Sequence, residues 1–387
     1  MGFSIKKMLF RGINTVSGKA AQFLHRPRKS TAPLADRLLA DTLRMAELPS
    51  PAPGEEHRAA FVLERLKNFG LTPVVAGSGS VMVRLESAES ADESPILLFT
   101  NLGSKRWHPT ECLSRLDAET AAGAGLSDSL GPAALISVAE NQTSGGLKCG
   151  RDILLLFIAP SLDNPEIDFS PILNDPVKRP FAAIGVRGLS LDRVIHSTGS
   201  YRLRITVSTE KNGASNELTL TLIDMARSLL GITWDGEGKT KLFIRRVEAG
   251  TVYGLTPVEG ILEIEIESVE RSLLDLAMNA VNATAEKIGE ASRLTSETAL
   301  LSFVPPGNPE KSGGLFEILR RLTKEQRIKI TEENGTDPAS FFTSEGIPAL
   351  SLGIALGKEG ARTDTIRIDS VEKGRLLLER LIIEAGK

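Results

Sequence analysis

The chain has 387 residues, 41% hydrophobic and 25% charged, so it is long enough for two folded units and far from the composition of a disordered protein. Its 46 Lys and Arg against 49 Asp and Glu leave a formal charge of −3, which supplies no field for nucleic acid, and 5% aromatics are too few for a base-stacking surface. Two cysteines, Cys112 and Cys149, exclude a disulfide framework, and no apolar run reaches the ~20 residues that span a bilayer, so a cytoplasmic location is expected.

Residues 1–33 form a basic extension. There is no acid before Asp36, while Lys6, Lys7, Arg11, Lys19, Arg26, Arg28 and Lys29 are basic. Phe3, Ile5, Met8, Leu9, Phe10, Ile13 and Val16 interleave with them. Residues 1–30 could therefore lay an apolar face on a membrane surface or a protein partner. A solvated, frayed extension explains the same composition. No cleavage site follows a long uncharged run, and Lys6 stands where a myristoylation signal wants Ser or Thr,.

Helical spacing of apolar residues predicts helices over 35–46 and 55–68, the second ended by Gly70,. Strands are expected at 72–75 and 80–85. The runs PILLFT (95–100) and ILLLFIA (153–159) are nearly continuous apolar strands of the kind buried on both faces,. Between them GAGLSDSLGPAALISVAE (123–140) is a glycine-rich loop that runs into an apolar helix, with Asp128 expected just before the helix start,. Asp128 reads as an N-cap or as a functional carboxylate, and its own neighbourhood leaves both open. Strand, helix, strand describes an α/β domain.

The texture changes near Tyr201. Strands are predicted at 202–209, 241–247, 261–269 and 297–303, with helices at 217–230 and 271–288,. This is a small α+β layer inserted into the larger domain. After Pro305 and Pro306 come a helix at 315–322, strands at 328–331 and 349–353, and a closing helix at 371–384. The expected division is 1–33 extension, 34–197 α/β domain, 198–296 inserted α+β layer and 297–387 return to the α/β domain.

Several motifs now stand in one order: SPAPGEE, PILLFTNLGS, GAGLSDSLGPAALI, FAAIGVRGLSLDRVIHSTGSYRLRITV, EAGTVYGLTPVEGILEIEIES and NGTDPASFFTSEGIPALSLGIALGKEGARTD. In this order the chain resembles the two-zinc metallopeptidase and deacylase family of peptidase T, acetylornithine deacetylase, succinyl-diaminopimelate desuccinylase and the aminoacylases. The resemblance covers nearly everything after residue 34. It implies an α/β fold, a helix-flanked mixed sheet carrying an inserted α+β lid or dimerisation domain, a homodimer formed through that lid, and metal-assisted amide hydrolysis. In that reaction two zinc ions held by imidazole and carboxylate clamp a hydroxide, with a free Glu as base.

Position by position, the ligands that the resemblance asks for are mostly missing. The first metal His falls on Asn101, and the Asp two residues on falls on Gly103. The bridging Asp is present as Asp128. The paired Glu-Glu should follow the 153–159 strand, where the chain reads PSLDNP, with Asp163 and Glu166 out of register. The next carboxylate falls on Arg187 and the last His on Arg362. A guanidinium stays protonated and cannot ligate a cation. In the inserted layer the family's His is absent from EKNGASN, its Asn falls on Gly254, and its substrate-binding Arg falls on Glu267.

The resemblance with these losses implies a catalytically inactive relative with a scaffold role or a site for a small anion or peptide, needing no cofactor. The competing expectation is a divergent metal-dependent amidohydrolase or peptidase that keeps zinc around Asp128 and Asp163. Arg187 and Arg362 either grip an anion or pair internally with Asp128. His108 and Cys112 have a metal-like spacing and equally suit a surface loop. No Gly-x-Ser-x-Gly elbow occurs, and Gly123–Gly125 is too short for a dinucleotide site,.

Overall fold

The computed structural model describes residues 33–48, 50, 54–76, 78–87, 94–104, 113–159, 169–209, 216–234, 239–250, 254–307 and 312–387, with 195 and 196 by backbone alone. Residues 34–387 form one compact unit. The expected amphipathic segment at 1–30, His108, Cys112, the 160–165 turn with Asp163, Glu166 and the 210–215 stretch lie outside the described residues.

A six-stranded mixed sheet organises the unit. Its order is β1 (Val74–Val75), β2 (Val81–Leu85), β6 (Ile153–Ile158), β3 (Ile96–Asn101), β7 (Ala182–Leu189) and β13 (Ala349–Ala355). The strands from β6 to β13 run parallel, and β1 and β2 are antiparallel at one edge. The two apolar runs read from the sequence are β3 and β6, side by side and buried on both faces.

Alternation sorts the side chains. Ile96, Leu98, Ile184 and Val186 pack beneath α1 (Leu34–Ala46), α2 (Glu56–Asn68), α3 (Leu126–Thr143) and α9 (Ile368–Ala385). Leu97, Phe99 and Ala183 face the opposite way and pack with Phe169 and Ile172, at α4 (Ser170–Leu173), and Phe342 of α8 (Ala339–Ser344),. Among the described residues no helix is long and apolar enough to cross a membrane.

Helix α3 is buried on nearly all sides, which suits the small and apolar run from Leu130 to Ala139, broken only by Ser137,. It lies very close to the sheet. A Cβ on Gly131 would fall 2.3 Å from Thr100 Oγ1 and 2.6 Å from the Val186 carbonyl oxygen, so only a glycine allows this approach. The helix begins earlier than the sequence reading placed it. Gly125, at φ 69°, is the N-cap, and Asp128 lies in the first turn rather than ahead of it. Gly adopts that left-handed conformation without the Cβ clash that other residues meet, so the turn falls at Gly125 and the N-cap reading of Asp128 does not hold.

The inserted layer is an antiparallel sheet in the order β11 (Thr295–Val304), β8 (Arg193–Ser208), β10 (Glu259–Ser268) and β9 (Thr240–Ala249). Tyr201, Leu203, Ile205, Leu262, Ile264 and Ile266 form one apolar face beneath α5 (Glu217–Leu230) and α6 (Arg271–Ala291). Strand β8 is twice as long as the expected 202–209. Its first half, Arg193 to Thr198, pairs in parallel with β12 (Thr331–Thr336), and its second half enters the inserted sheet. The strand read at 328–331 instead begins at Thr331, because the partner for that backbone is β8. A small antiparallel sheet of β4 (Arg115–Leu116), β5 (Thr120–Gly123), β14 (Gly357–Lys358) and β15 (Asp364–Arg367) was not anticipated; its strands are too short to show a period.

Candidate functional site

Where β3 and β7 of the central sheet meet the open face of the inserted sheet there is a cleft of about 360 Å³. Asn101 and Arg187 line it from the central sheet, and Arg202, Arg245, Glu265 and Glu267 from the inserted sheet. Register explains the second set. Glu263, Glu265 and Glu267 alternate with the buried Leu262, Ile264 and Ile266, so the acids share the face turned away from α5 and α6,. Arg202 stands opposite Glu265 and Arg204 opposite Glu263 on the neighbouring strand, as cross-strand ion pairing favours.

Arg187 is 41% exposed at its side chain, and its Nη1 donates to Asp337 Oδ2 at 3.5 Å. Asp337 is buried and anchored, its Oδ1 accepting from the Ala339 N–H at 2.9 Å and from Ser351 Oγ at 2.6 Å. The guanidinium is thus held from behind at one corner, and no other hydrogen bond or ion pair within the described residues occupies its remaining donors. Two guanidiniums converge on Glu265: Arg202 Nε at 2.9 Å and Arg245 Nε at 2.7 Å. Burial raises the Glu265 carboxyl, and the hydrogen bonds and charges of these two arginines outweigh it, holding the group below its usual range,.

Glu267 behaves in the opposite way. It is half-buried, lines the same cleft, and makes no hydrogen bond or ion pair within the described residues. Burial, followed by the adjacent Glu265 charge, pushes its carboxyl above the ordinary value against the pull of Arg245, Lys241 and Arg202. Asn101, the last residue of β3, has its side-chain oxygen buried without a hydrogen-bond donor.

Asp128 belongs to a separate corner. It starts α3 on one side of the sheet, while Asn101 and Arg187 share the alternation of Phe99 and Ala183 on the other. Asp128 Oδ2 accepts from Ser104 Oγ at 3.0 Å, and Ser104 follows the buried Gly103 directly. The arginine whose charge bears on it from the described core is Arg58. That side chain is fully buried and donates from Nε to the Met45 carbonyl (3.1 Å), from Nη1 to the Leu102 carbonyl (3.0 Å) and from Nη2 to Ser129 Oγ (2.9 Å). Burial draws Arg58 down to about 10, opposed by the charges of Asp128 and Glu55, so it remains a cation at neutral pH.

Of the two arginines expected to meet Asp128, Arg187 pairs with Asp337 instead. Arg362 sits exposed in the turn between β14 and β15 and is not among the residues that line the cleft. That turn nevertheless approaches the start of α3. The Ser127 N–H donates to Asp364 Oδ2 at 3.0 Å and Ser127 Oγ to Glu359 Oε1 at 2.7 Å.

Among the described residues the donor set does not fit a dinuclear metal centre. Among the described residues no three His, Cys, Asp or Glu side chains are grouped so as to hold a metal ion. The positions where the resemblance places ligands carry an amide at Asn101, no side chain at Gly103, guanidiniums at Arg187 and Arg362, and a single carboxylate at Asp128. Arg58, Asp337 and Glu265 were not singled out in the sequence. Arg58 left a trace there, standing in the buried stripe with Val62 and Leu66 at four-residue steps. Asp337 did too, preceding Pro338 and a helix start in the manner of a capping residue,.

The sheet, its flanking helices and the inserted antiparallel layer together define the fold of the dinuclear metallopeptidases. Aminopeptidase PepT from Bacillus cereus superposes with a TM-score of 0.69 over 91% of this chain and 99% of its own, at 12% identity. The dipeptidase Dug1p of Saccharomyces cerevisiae gives 0.69 over 91% and 96%, at 13% identity. YXEP of Bacillus subtilis, a dinuclear metal-binding peptidase of the M20 family, gives 0.61 over 91% and 98%, at 14% identity. No family model and no curated protein matches the sequence. At this identity the likeness establishes the architecture, as the resemblance implied, and leaves the chemistry to the residues.

Proposed function

We propose that the chain uses the metallopeptidase fold as a binding module that forms no dinuclear zinc centre, and that its ligand is a small carboxylate-bearing molecule or short peptide held in the cleft by Arg187. The observation that carries this is the Arg187 guanidinium itself. It opens on the cleft, is braced by the buried Asp337 at one nitrogen only, and keeps donors in the planar fork that matches a carboxylate,. The grouping of described residues supplies no alternative metal site.

The test joins metal analysis to binding. Purified protein is expected to carry no stoichiometric zinc and to leave dipeptides and N-acyl amino acids intact. Pentanoate titrated by calorimetry is expected to bind, and Arg187→Gln to weaken that binding about tenfold, the size of one charge-assisted fork. Stoichiometric zinc with chelator-sensitive hydrolysis, lost in Asp128→Ala, would establish the metal-dependent amidohydrolase instead.

A further inference from the structure

Resting on the carboxylate reading above, we infer that the cleft's ligand is zwitterionic, with its carboxylate on Arg187 and an ammonium group on Glu267. The two residues line one cavity of about 360 Å³ from opposite layers, Arg187 from β7 and Glu267 from β10. A volume of that order holds a molecule of amino-acid or dipeptide size.

The other charges of the cleft are already committed. Arg202 and Arg245 both bind Glu265, and Asp337 braces Arg187. Glu267 is the carboxyl left over: it lines the cleft, is half-buried, and has no hydrogen-bond or ion-pair partner among the described residues. Across the sheet it stands opposite Ser200 on β8 and Lys241 on β9. The charges around it are Glu265 on its own strand, Arg202 on β8, and Lys241 and Arg245 on β9. Their attraction falls short of the cost of burial plus the repulsion of Glu265, so the free protein holds a proton on this carboxyl more tightly than an exposed glutamate does,. A ligand ammonium brought to Glu267 supplies the missing counter-charge and favours the ionised carboxylate. A second carboxylate at the same place meets Glu265 and Glu267 together and is rejected.

Binding is therefore linked to pH in a defined sense. Glu267 is raised when free and lowered when an ammonium lies against it, so ligand entry releases a proton, and affinity rises as pH climbs through the raised value.

Calorimetry on the full-length protein tests this with a matched series: 5-aminopentanoate, pentanoate, glutarate and pentylamine, with amino acids and diacids about one or two carbons shorter and longer to cover the span. The amino acid of best length is expected to bind about tenfold tighter than the monoacid, with glutarate weakest of the acids. Through the acid range in which free Glu267 titrates, proton release should appear as a heat that depends on the ionisation enthalpy of the buffer. Glu267→Gln, near-isosteric at a half-exposed position and checked for an unchanged melting temperature, should abolish both the amine advantage and the proton release.

The inference is overturned if glutarate binds as well as the amino acid. It is also overturned if Glu267→Gln keeps the full advantage, which would make Glu267 no more than a neutral hydrogen-bond acceptor for the amine. Pentanoate that binds in an Arg187-dependent way without an amine preference leaves the carboxylate reading standing and removes this one. Pentylamine that binds through Glu267 while pentanoate does not removes the carboxylate reading first. If no probe binds, both fall.

Discussion

Arg58 shows how much a single buried charge can carry. Its three donors satisfy two main-chain carbonyls and a serine in three different segments, and its charge offsets Asp128 and Glu55. Arg58→Met keeps the length of the stem but orphans these acceptors, so a loss of about 3–5 kcal/mol is expected in urea unfolding. Adding Asp128→Asn to that variant should recover part of the loss, because the negative charge that Arg58 offset is removed with it,.

Asp41 is a second residue with a readable consequence. Burial pushes its carboxyl up to about 6, against the attraction and hydrogen bonds of Arg65. Because the folded value lies above the unfolded one, the folded state holds the extra proton between about pH 4 and 6, and stability falls as pH rises through that window. Chemical denaturation across pH 4–7 should show a decline of up to about 1.4 kcal/mol per pH unit that Asp41→Asn flattens; equal slopes would contradict it.

At the scale of elements, α3 is the part most constrained by its surroundings. It crosses the sheet at a distance set by Gly131, where a methyl group would press on Thr100 Oγ1 and the Val186 carbonyl. Thr100 Oγ1 donates to that same carbonyl at 2.8 Å, so it has no slack to give. Gly131→Ala is expected to cost about 1–3 kcal/mol, as overpacking of a close-packed interior does, despite alanine's better helix propensity. Gly145→Ala serves as contrast: at φ 79° with open space around it, the cost there is backbone strain alone,. Helix α3 would have been drawn correctly from its apolar run, yet its first residue was misjudged. The left-handed Gly125 decides the start, and a glycine's φ has no signature in composition.

For the whole molecule, three apolar clusters divide the work. One lies under the helices on one face of the central sheet, one under α4 and α8 on the other, and one inside the inserted layer. The cleft falls where the central sheet and the inserted layer face each other, so its residues come from segments that fold around different cores. Among the described residues no group of His, Cys, Asp or Glu side chains is placed to staple these cores with a metal ion. A tightly bound ion would raise stability by about 2.7 kcal/mol at a hundred times its dissociation constant. The melting temperature is accordingly expected to stay the same in EDTA and in added zinc; a clear rise with zinc would show a site that the described residues do not form.

The order of elements was legible because it rests on local periodicity. The runs at 95–100 and 153–159 have the length and continuous apolarity of strands buried on both faces, and the helices at 217–230 and 271–288 declared themselves by spacing,. The alternation of Glu263, Glu265 and Glu267 with Leu262, Ile264 and Ile266 likewise determined which residues of that strand face away from the core. What the acids and arginines then do depended on the tertiary structure. Arg187 meets Asp337 across 150 residues of chain, Arg202 meets Glu265 across 63, and Arg58 meets Ser129 across 71. Side-chain period is a property of neighbours and survives in the sequence. The partner of a charge is chosen by the path of the chain, and only the folded sheet brings Arg187 and Glu267 to the same cleft.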